Sequence, residues 1–344
     1  MEVYFRLFNN PITIHSTAIE IGNFTVQWYG VLIAFGFLLA VLFGGRMAYK
    51  WKMNLDSMVD VLIGGTIGGV VGARLYYVLF NLSAMNNFLD IFRIWEGGMA
   101  IYGGIIGGLL GAFIVTRFNK LNFLNLMDLA AMSFLIGQGI GRWGNFTNQE
   151  AFGANTNLPW GMWSQATANY INAHQGMFAQ HGIEAVAGTV LDRAYVHPTF
   201  LYESLWVLLG FGLIYLFCRK WRSFSGQLIL LYGMWYGAGR FFIESLRLDP
   251  LFIGSSNVRV SQLLSGLIVL GCAAAFVYFT LHFNKNPKPI EGIDFFPGSS
   301  VELELEAAEE EIATDDADTV EEIAADEKMM VEELNEESED EPIA

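Results

Sequence analysis

Charged side chains are scarce in this chain: 16% of its 344 residues, where a soluble domain carries about 25%. That shortage excludes an ordinary water-soluble enzyme. Cysteine is scarcer still. Cys218 and Cys272 are the only two, each inside an apolar run, with no spacing for a disulfide framework or a metal site. A buried thiol with no neighbouring cation is usually inert, so both are read as structural. No G-x-S-x-G, paired histidines or H-E-x-x-H occurs, which leaves a hydrolytic membrane enzyme without its nucleophile or its metal. The opening "MEVYFRLFNNPITIHS" lacks the basic-then-apolar order of a cleaved signal peptide, so the helices themselves are expected to direct insertion.

Long apolar runs are what the chain has in quantity. Hydrophobic residues make up 53%, and a membrane-spanning helix needs about 20 of them in near-continuous order. Seven stretches qualify, at roughly 27–45, 58–80, 99–117, 124–141, 199–217, 226–243 and 260–282. Basic residues follow every second one: Arg46, Lys50 and Lys52, then Arg117 and Lys120, then Arg219, Lys220 and Arg222, then Lys285 and Lys288. Such an excess marks cytoplasmic loops. The expectation is an all-α integral membrane protein of seven transmembrane helices, N-terminus outside and C-terminus cytoplasmic.

The net charge of −16 misdescribes that body. From Val301 onward there are 20 Asp/Glu and one Lys, while the first 300 residues hold 15 acids against 18 Lys/Arg, a net of +3. The acidity belongs to a tail at 290–344, read as disordered and solvated, and points to no nucleic-acid partner. Residues 1–289 are read as the membrane domain, with a small extracytoplasmic cap at 147–196. The cap aromatics Trp160, Trp163, Tyr170, Phe178 and Tyr195 suit either the membrane interface or contact with a substrate.

Two glycine ridges repeat every four residues: Gly64, Gly68 and Gly72 in "GGTIGGVVGA", and Gly103, Gly107 and Gly111 in "GGIIGGLLGA". Small residues at this spacing let helix backbones approach closely in lipid. The same ridges could leave a groove for an acyl chain, and both readings stay open.

Polar residues tell more, because ionisable groups in or beside membrane helices are costly and tend to mark function. With the orientation above, widely separated residues share one level near the outer face. Arg74, Tyr76 and Tyr77 end the second span; Glu96 and Tyr102 open the third; Arg142, Asn145, Asn148 and Glu150 follow the fourth. His197, Tyr202 and Glu203 open the fifth, Arg240 and Glu244 end the sixth, and Arg259 and Gln262 begin the seventh. Some of these must clamp one another, and Arg240 and Glu244, four apart, are one helical turn from pairing. The surplus of guanidinium groups suits an anionic ligand, since a planar guanidinium binds phosphate through two bonds at once.

"GRWGNFTNQEAFG" closely resembles the signature of the phosphatidylglycerol–prolipoprotein diacylglyceryl transferase family. "WYGVLIAFGF", "GGVVGARLYYVL", "WEGGMAIYGG", "HPTFLYES" and "GAGRFFIESLR" match its other blocks in the same order, over roughly residues 15–285. The resemblance implies transfer of the diacylglyceryl group of phosphatidylglycerol to the lipobox cysteine thiol of a preprolipoprotein. A thioether forms and glycerol phosphate leaves, at the outer leaflet of the bacterial cytoplasmic membrane, with no metal or organic cofactor.

By motif position, the resemblance assigns Arg142 and Arg240 to the lipid phosphate, with Asn145 and Asn148 on the headgroup or steadying Arg142. Tyr29 and Arg74 are weaker lipid-binding candidates. Glu150, Glu203 and Glu244 are expected to orient the arginines, and Gly153, His197 and Tyr202 to support them. Many members have a histidine, proposed as the base, where this chain has Tyr102. A phenol titrates near about 10 in water. Tyr102 is therefore read either as a tyrosinate stabilised by Arg142 or Arg240, or as a hydrogen-bond donor beside a thiolate favoured by the arginine field. His197, in "HPT", looks like a helix start, with proton handling as its other reading. The rival for the whole chain is a transporter, against which stand charges gathered on one side and halves without a visible repeat.

Overall fold

Apolar runs of membrane length become helices in the computed structural model, which describes residues 1–8, 10–22, 24–82, 87–249, 252 and 256–285. In chain order come α1 (Trp28–Lys50), α2 (Leu55–Phe80), α3 (Ile101–Phe118), α4 (Phe123–Asn148), the short α5 (Gln165–Ala173) and α6 (Gln175–Gln180), α7 (Thr199–Trp221), α8 (Gln227–Glu244) and α9 (Val260–Lys285). Among the described residues, six helices are long and apolar enough to cross a membrane: α1, α2, α3, α4, α7 and α9. With them the chain is a multi-pass membrane protein. The remaining expected span, 226–243, is present as α8, which carries Gln227, Arg240 and Glu244 in its 18 residues and is not one of the six. The described residues fall within one unit, Met1–Gly292; the acidic segment expected at 290–344 lies outside them.

Helices dominate, but the architecture is not purely α. Among the described residues five short strands occur: β1 (Glu2–Phe5), β2 (Ile12–Thr13), β3 (Thr17–Ile21), β4 (Phe24–Gln27) and β5 (Met162–Ser164). An antiparallel sheet runs β2–β1–β5, so the first residues of the chain pair with the cap, and β3–β4 is a hairpin leading into α1. The physical reason is length. These β-branched, alternating segments are too short to span lipid and must satisfy their backbone by pairing outside it. Trp163 and Phe178 are fully buried beside Val3, Phe200 and Leu248, so they are the cap's own core rather than interfacial anchors.

Two packing devices hold the bundle. At one end of the bundle, buried Asp128 of α4 accepts the backbone N–H groups of Gly226, Leu228 and Ile229 at 2.8–2.9 Å, capping α8 with a negative charge where the helix dipole favours one. Arg222 neutralises it at 3.0 Å and lies 4.2 Å from the Trp51 ring centroid. The glycine ridges of α2 and α3 meet face to face: a Cβ on Gly68 would sit 2.4 Å from the Gly107 carbonyl oxygen, and one on Gly72 2.4 Å from that of Gly103. Close backbone packing thus uses the ridges directly. Beside them an apolar groove of about 330 Å³, lined by Val71, Leu75, Leu79, Ile106 and Leu110, remains open.

Candidate functional site

The signature block starts inside a helix. α4 continues through Arg142, Asn145 and Asn148, seven residues beyond the apolar run, and stops only where Gln149 turns left-handed at φ 54°. Arg142 and Asn145 therefore sit on a rigid helix rather than in a loop. Trp143 donates to Ser204 Oγ at 3.2 Å, and Ser204 to the Gly139 carbonyl at 2.8 Å, stitching α4 to α7 beside them.

Arg142 and Arg240 converge on one carboxylate. Arg142 Nη2 lies 2.7 Å from Glu203 Oε2, and Arg240 Nη1 lies 3.5 Å from Glu203 Oε1. Glu203, near the start of α7, is only 5% exposed, while both arginine side chains keep 21% of their surface open. The expected pair of Arg240 with Glu244 forms at 2.8 Å. Charges from α4, α7 and α8 thus meet at one end of the bundle, under the cap.

A further arginine joins, the last residue of the "GAGRFFIESLR" block, to which the sequence reading gave no role. Arg247 Nη1 is 3.5 Å from Glu203 Oε1, and its other nitrogens grip both oxygens of Asp249 at 2.8 and 2.6 Å. Burial alone would lower its pKa, but Asp249, Glu203 and Glu244 more than offset that, and it stays protonated. The signature itself places Arg247: Ala154 N–H donates to the Leu246 carbonyl at 2.7 Å, and Gly153 bridges to Arg247. A side chain on Gly153 would meet His197 Cβ and the Leu246 carbonyl oxygen at 2.8 Å, so three segments close on that glycine. The sequence signal for Arg247 was its place at the end of the "GAGRFFIESLR" block, just after an apolar helix. Arg259 completes the group by donating to the backbone carbonyls of Glu244 and Arg247. Among the described residues, four guanidinium groups gather here with three carboxylates, Glu203, Glu244 and Asp249.

Other candidates stand elsewhere. Among the described residues Glu150 meets no arginine; it accepts from Asn145 at 2.9 Å and Asn148 at 3.5 Å, an amide–carboxylate triad at the helix end where an arginine was expected. Tyr29 packs its ring on Gly144, where a Cβ would be 2.7 Å away. Arg74 is buried and gives its guanidinium to the backbone carbonyls of Asp90, Ile91, Gly97 and Gly98, clamping the loop between α2 and α3. Tyr102 is half exposed, and its hydroxyl has no hydrogen-bond partner among the described residues, no arginine included. His197 Nδ1 meets the Tyr202 hydroxyl at 3.1 Å, and Trp160 donates to the same hydroxyl at 2.8 Å. Burial lowers the His197 pKa, so the ring is neutral near pH 7.

With the geometry in place, comparison with known proteins gives a consistent result. The family model described as prolipoprotein diacylglyceryl transferase matches residues 16–278. A phosphatidylglycerol–prolipoprotein diacylglyceryl transferase of Thermotoga maritima is 40% identical over 285 residues, 82% of this chain and 90% of its own. One of Listeria innocua is 41% identical over 277 residues, 80% and 94% of the two chains. One of Clostridium perfringens is 40% identical over 270 residues, 78% and 94%. The chain belongs to the prolipoprotein diacylglyceryl transferase family.

Proposed function

We propose that this chain moves the diacylglyceryl group of phosphatidylglycerol onto the lipobox cysteine of a preprolipoprotein, the first step of lipoprotein maturation. One observation carries the site assignment: Arg142 and Arg240, on separate helices, share buried Glu203 yet keep a fifth of each side chain open. The open edges bind the lipid phosphate. As the cysteine sulfur bonds to the glyceryl carbon, the carbon–oxygen bond to phosphate breaks, and the thiol proton passes to water or to the departing phosphate. Charge builds on the leaving oxygen in a site with little water, where cations already fixed in place stabilise it most. Glu203 and Glu244 hold the guanidinium groups to aim, and Arg247 adds a third cation on the cap side.

Tyr102 serves as a hydrogen-bond donor to the reacting groups, its hydroxyl half exposed and uncommitted, and the arginine field favours the thiolate. Asn145 and Asn148, with Glu150, hold the end of α4 and reach the headgroup. The groove beside the glycine ridges has the chemistry of an acyl-chain berth. Basic residues after α1, α3, α7 and α9 support seven spans with the cap outside. That puts the site toward the outer leaflet of a bacterial cytoplasmic membrane.

The test is purified protein in detergent with phosphatidylglycerol and a lipobox peptide. Glycerol phosphate release should match peptide lipidation one for one, and a serine in place of the peptide's cysteine should stop both. Lipid binding without a modified peptide would sink the proposal.

A further inference from the structure

Below the arginine cluster, Trp206 of α7 and Trp235 of α8 stack with ring centroids 4.4 Å apart and 16° between planes. Trp206 lies three residues after Glu203, and Trp235 five before Arg240. Their hydrogen bonds are reciprocal. Trp206 Nε1 donates to the Trp235 carbonyl at 2.9 Å, and Trp235 Nε1 donates to the Trp206 carbonyl at 2.8 Å. Each indole also lies against a glycine of the opposite helix: a Cβ on Gly239 would sit 2.3 Å from Trp206 Cδ1, and one on Gly210 2.3 Å from Trp235 Cδ1.

Two donors and two glycine slots constrain one motion, the sliding of α7 along α8. A shift of one residue, about 1.5 Å, would break both indole bonds and drive both rings against neighbouring side chains. An N–H left without an acceptor in an apolar layer is costly, so the register is held from both sides. Gly239 is also the residue directly before Arg240. The slot that receives Trp206 is therefore continuous with the backbone that carries the cation.

We propose that Trp206 and Trp235, seated on Gly239 and Gly210, are positioning residues for diacylglyceryl transfer. Their clasp sets the register of α7 on α8, and with it the approach of Arg240 to Glu203. The proposal rests on the reading that Arg240 meets the lipid phosphate. A displacement of about 1 Å at such a site costs on the order of 100-fold in rate, whereas ground-state binding of a flexible lipid headgroup is more tolerant.

Gly210→Ala tests this from two turns away on α7, and Gly212→Ala is the control, because an added Cβ there meets nothing within 4 Å. With phosphatidylglycerol in mixed micelles, Gly210→Ala should lower kcat by about 10- to 100-fold with KM within about threefold of the parent. Gly212→Ala should stay within about twofold of the parent in both. Trp235→Phe keeps a ring in the slot and loses the donor; its kcat should fall by at least about threefold, again with KM little changed. Folding is checked by thermal melts and size-exclusion profiles. Folded Gly210→Ala and Trp235→Phe with parental kcat overturn the proposal, as does a rise in KM at constant kcat. If Gly210→Ala yields no folded protein, Trp235→Phe decides by the same criteria. Arg240→Ala run in parallel separates the two ideas: activity there removes the phosphate assignment, while a dead Arg240→Ala beside an unaffected Gly210→Ala removes the clasp alone.

Discussion

Arg142→Ala takes away two things at once, and the contacts let them be weighed. One is a donor aimed at the charge developing on phosphate, worth about 2.7–4 kcal/mol, or 10²–10³ in kcat. The other is the nearest neutraliser of Glu203, at 2.7 Å against 3.5 Å for Arg240 and Arg247. A phosphate on the far edge of the guanidinium would stand about 6 Å from that carboxylate, where like charges repel by about 3 kcal/mol at an effective dielectric of about 20. The two losses together reach about 6 kcal/mol, more than 10⁴ in rate, and turnover should vanish. Arg142→Ala/Glu203→Gln keeps the first loss and lifts the second, so it should be about 100-fold faster than Arg142→Ala alone. The assay is glycerol phosphate release from labelled phosphatidylglycerol with excess lipobox peptide. A double variant no faster than the single refutes the electrostatic account of Glu203, and a fully active Arg142→Ala refutes the phosphate assignment.

Tyr102→Phe should slow turnover by less than about tenfold, the scale of one lost neutral hydrogen bond; a folded but dead variant would make the phenol the base. Arg74→Lys cannot serve four carbonyls, so it should lower the thermal midpoint by the equivalent of about 1–3 kcal/mol with KM for the lipid unchanged. An unchanged melt with a raised KM would return Arg74 to the lipid. His197 is held below its usual 6.5 by burial, so the unfolded chain binds this proton more tightly. Its contribution is complete above pH 6.5 and is lost as pH falls through the folded value. The thermal midpoint should therefore drop on acidification more steeply in the parent than in His197→Asn.

Much of this was legible in the residues, for reasons that also mark where reading stopped. Hydropathy locates helices because lipid demands a minimum apolar length, and all seven expected stretches are helical. It cannot say where a helix ends once it leaves lipid. The run from Gly141 to Asn148 was expected to follow the span, yet nothing in it breaks a helix before the left-handed Gln149. Composition found that Arg142, Arg240, Glu203 and Glu244 share one level, because buried charge must cluster. Partner choice is a tertiary matter. Glu150 takes two amides instead of an arginine, and Arg247 enters only because residues 152–154 pair with 246–248. Strands β1 and β5 lay hidden because their pairing spans most of the first half of the chain, beyond any local pattern.

That long-range pairing bears on how the protein is made. Val3 joins Ser164, so β1 reaches its place only after α1 to α4 have been synthesised and inserted. At about 5–20 residues per second, the 160 residues between them take roughly 8–30 s. Throughout that interval a strand edge, with Val3 destined for complete burial, waits uncovered. Stalled or mistimed insertion should therefore first produce molecules with an intact bundle and an open cap, which proteases would recognise by their unpaired leading strand.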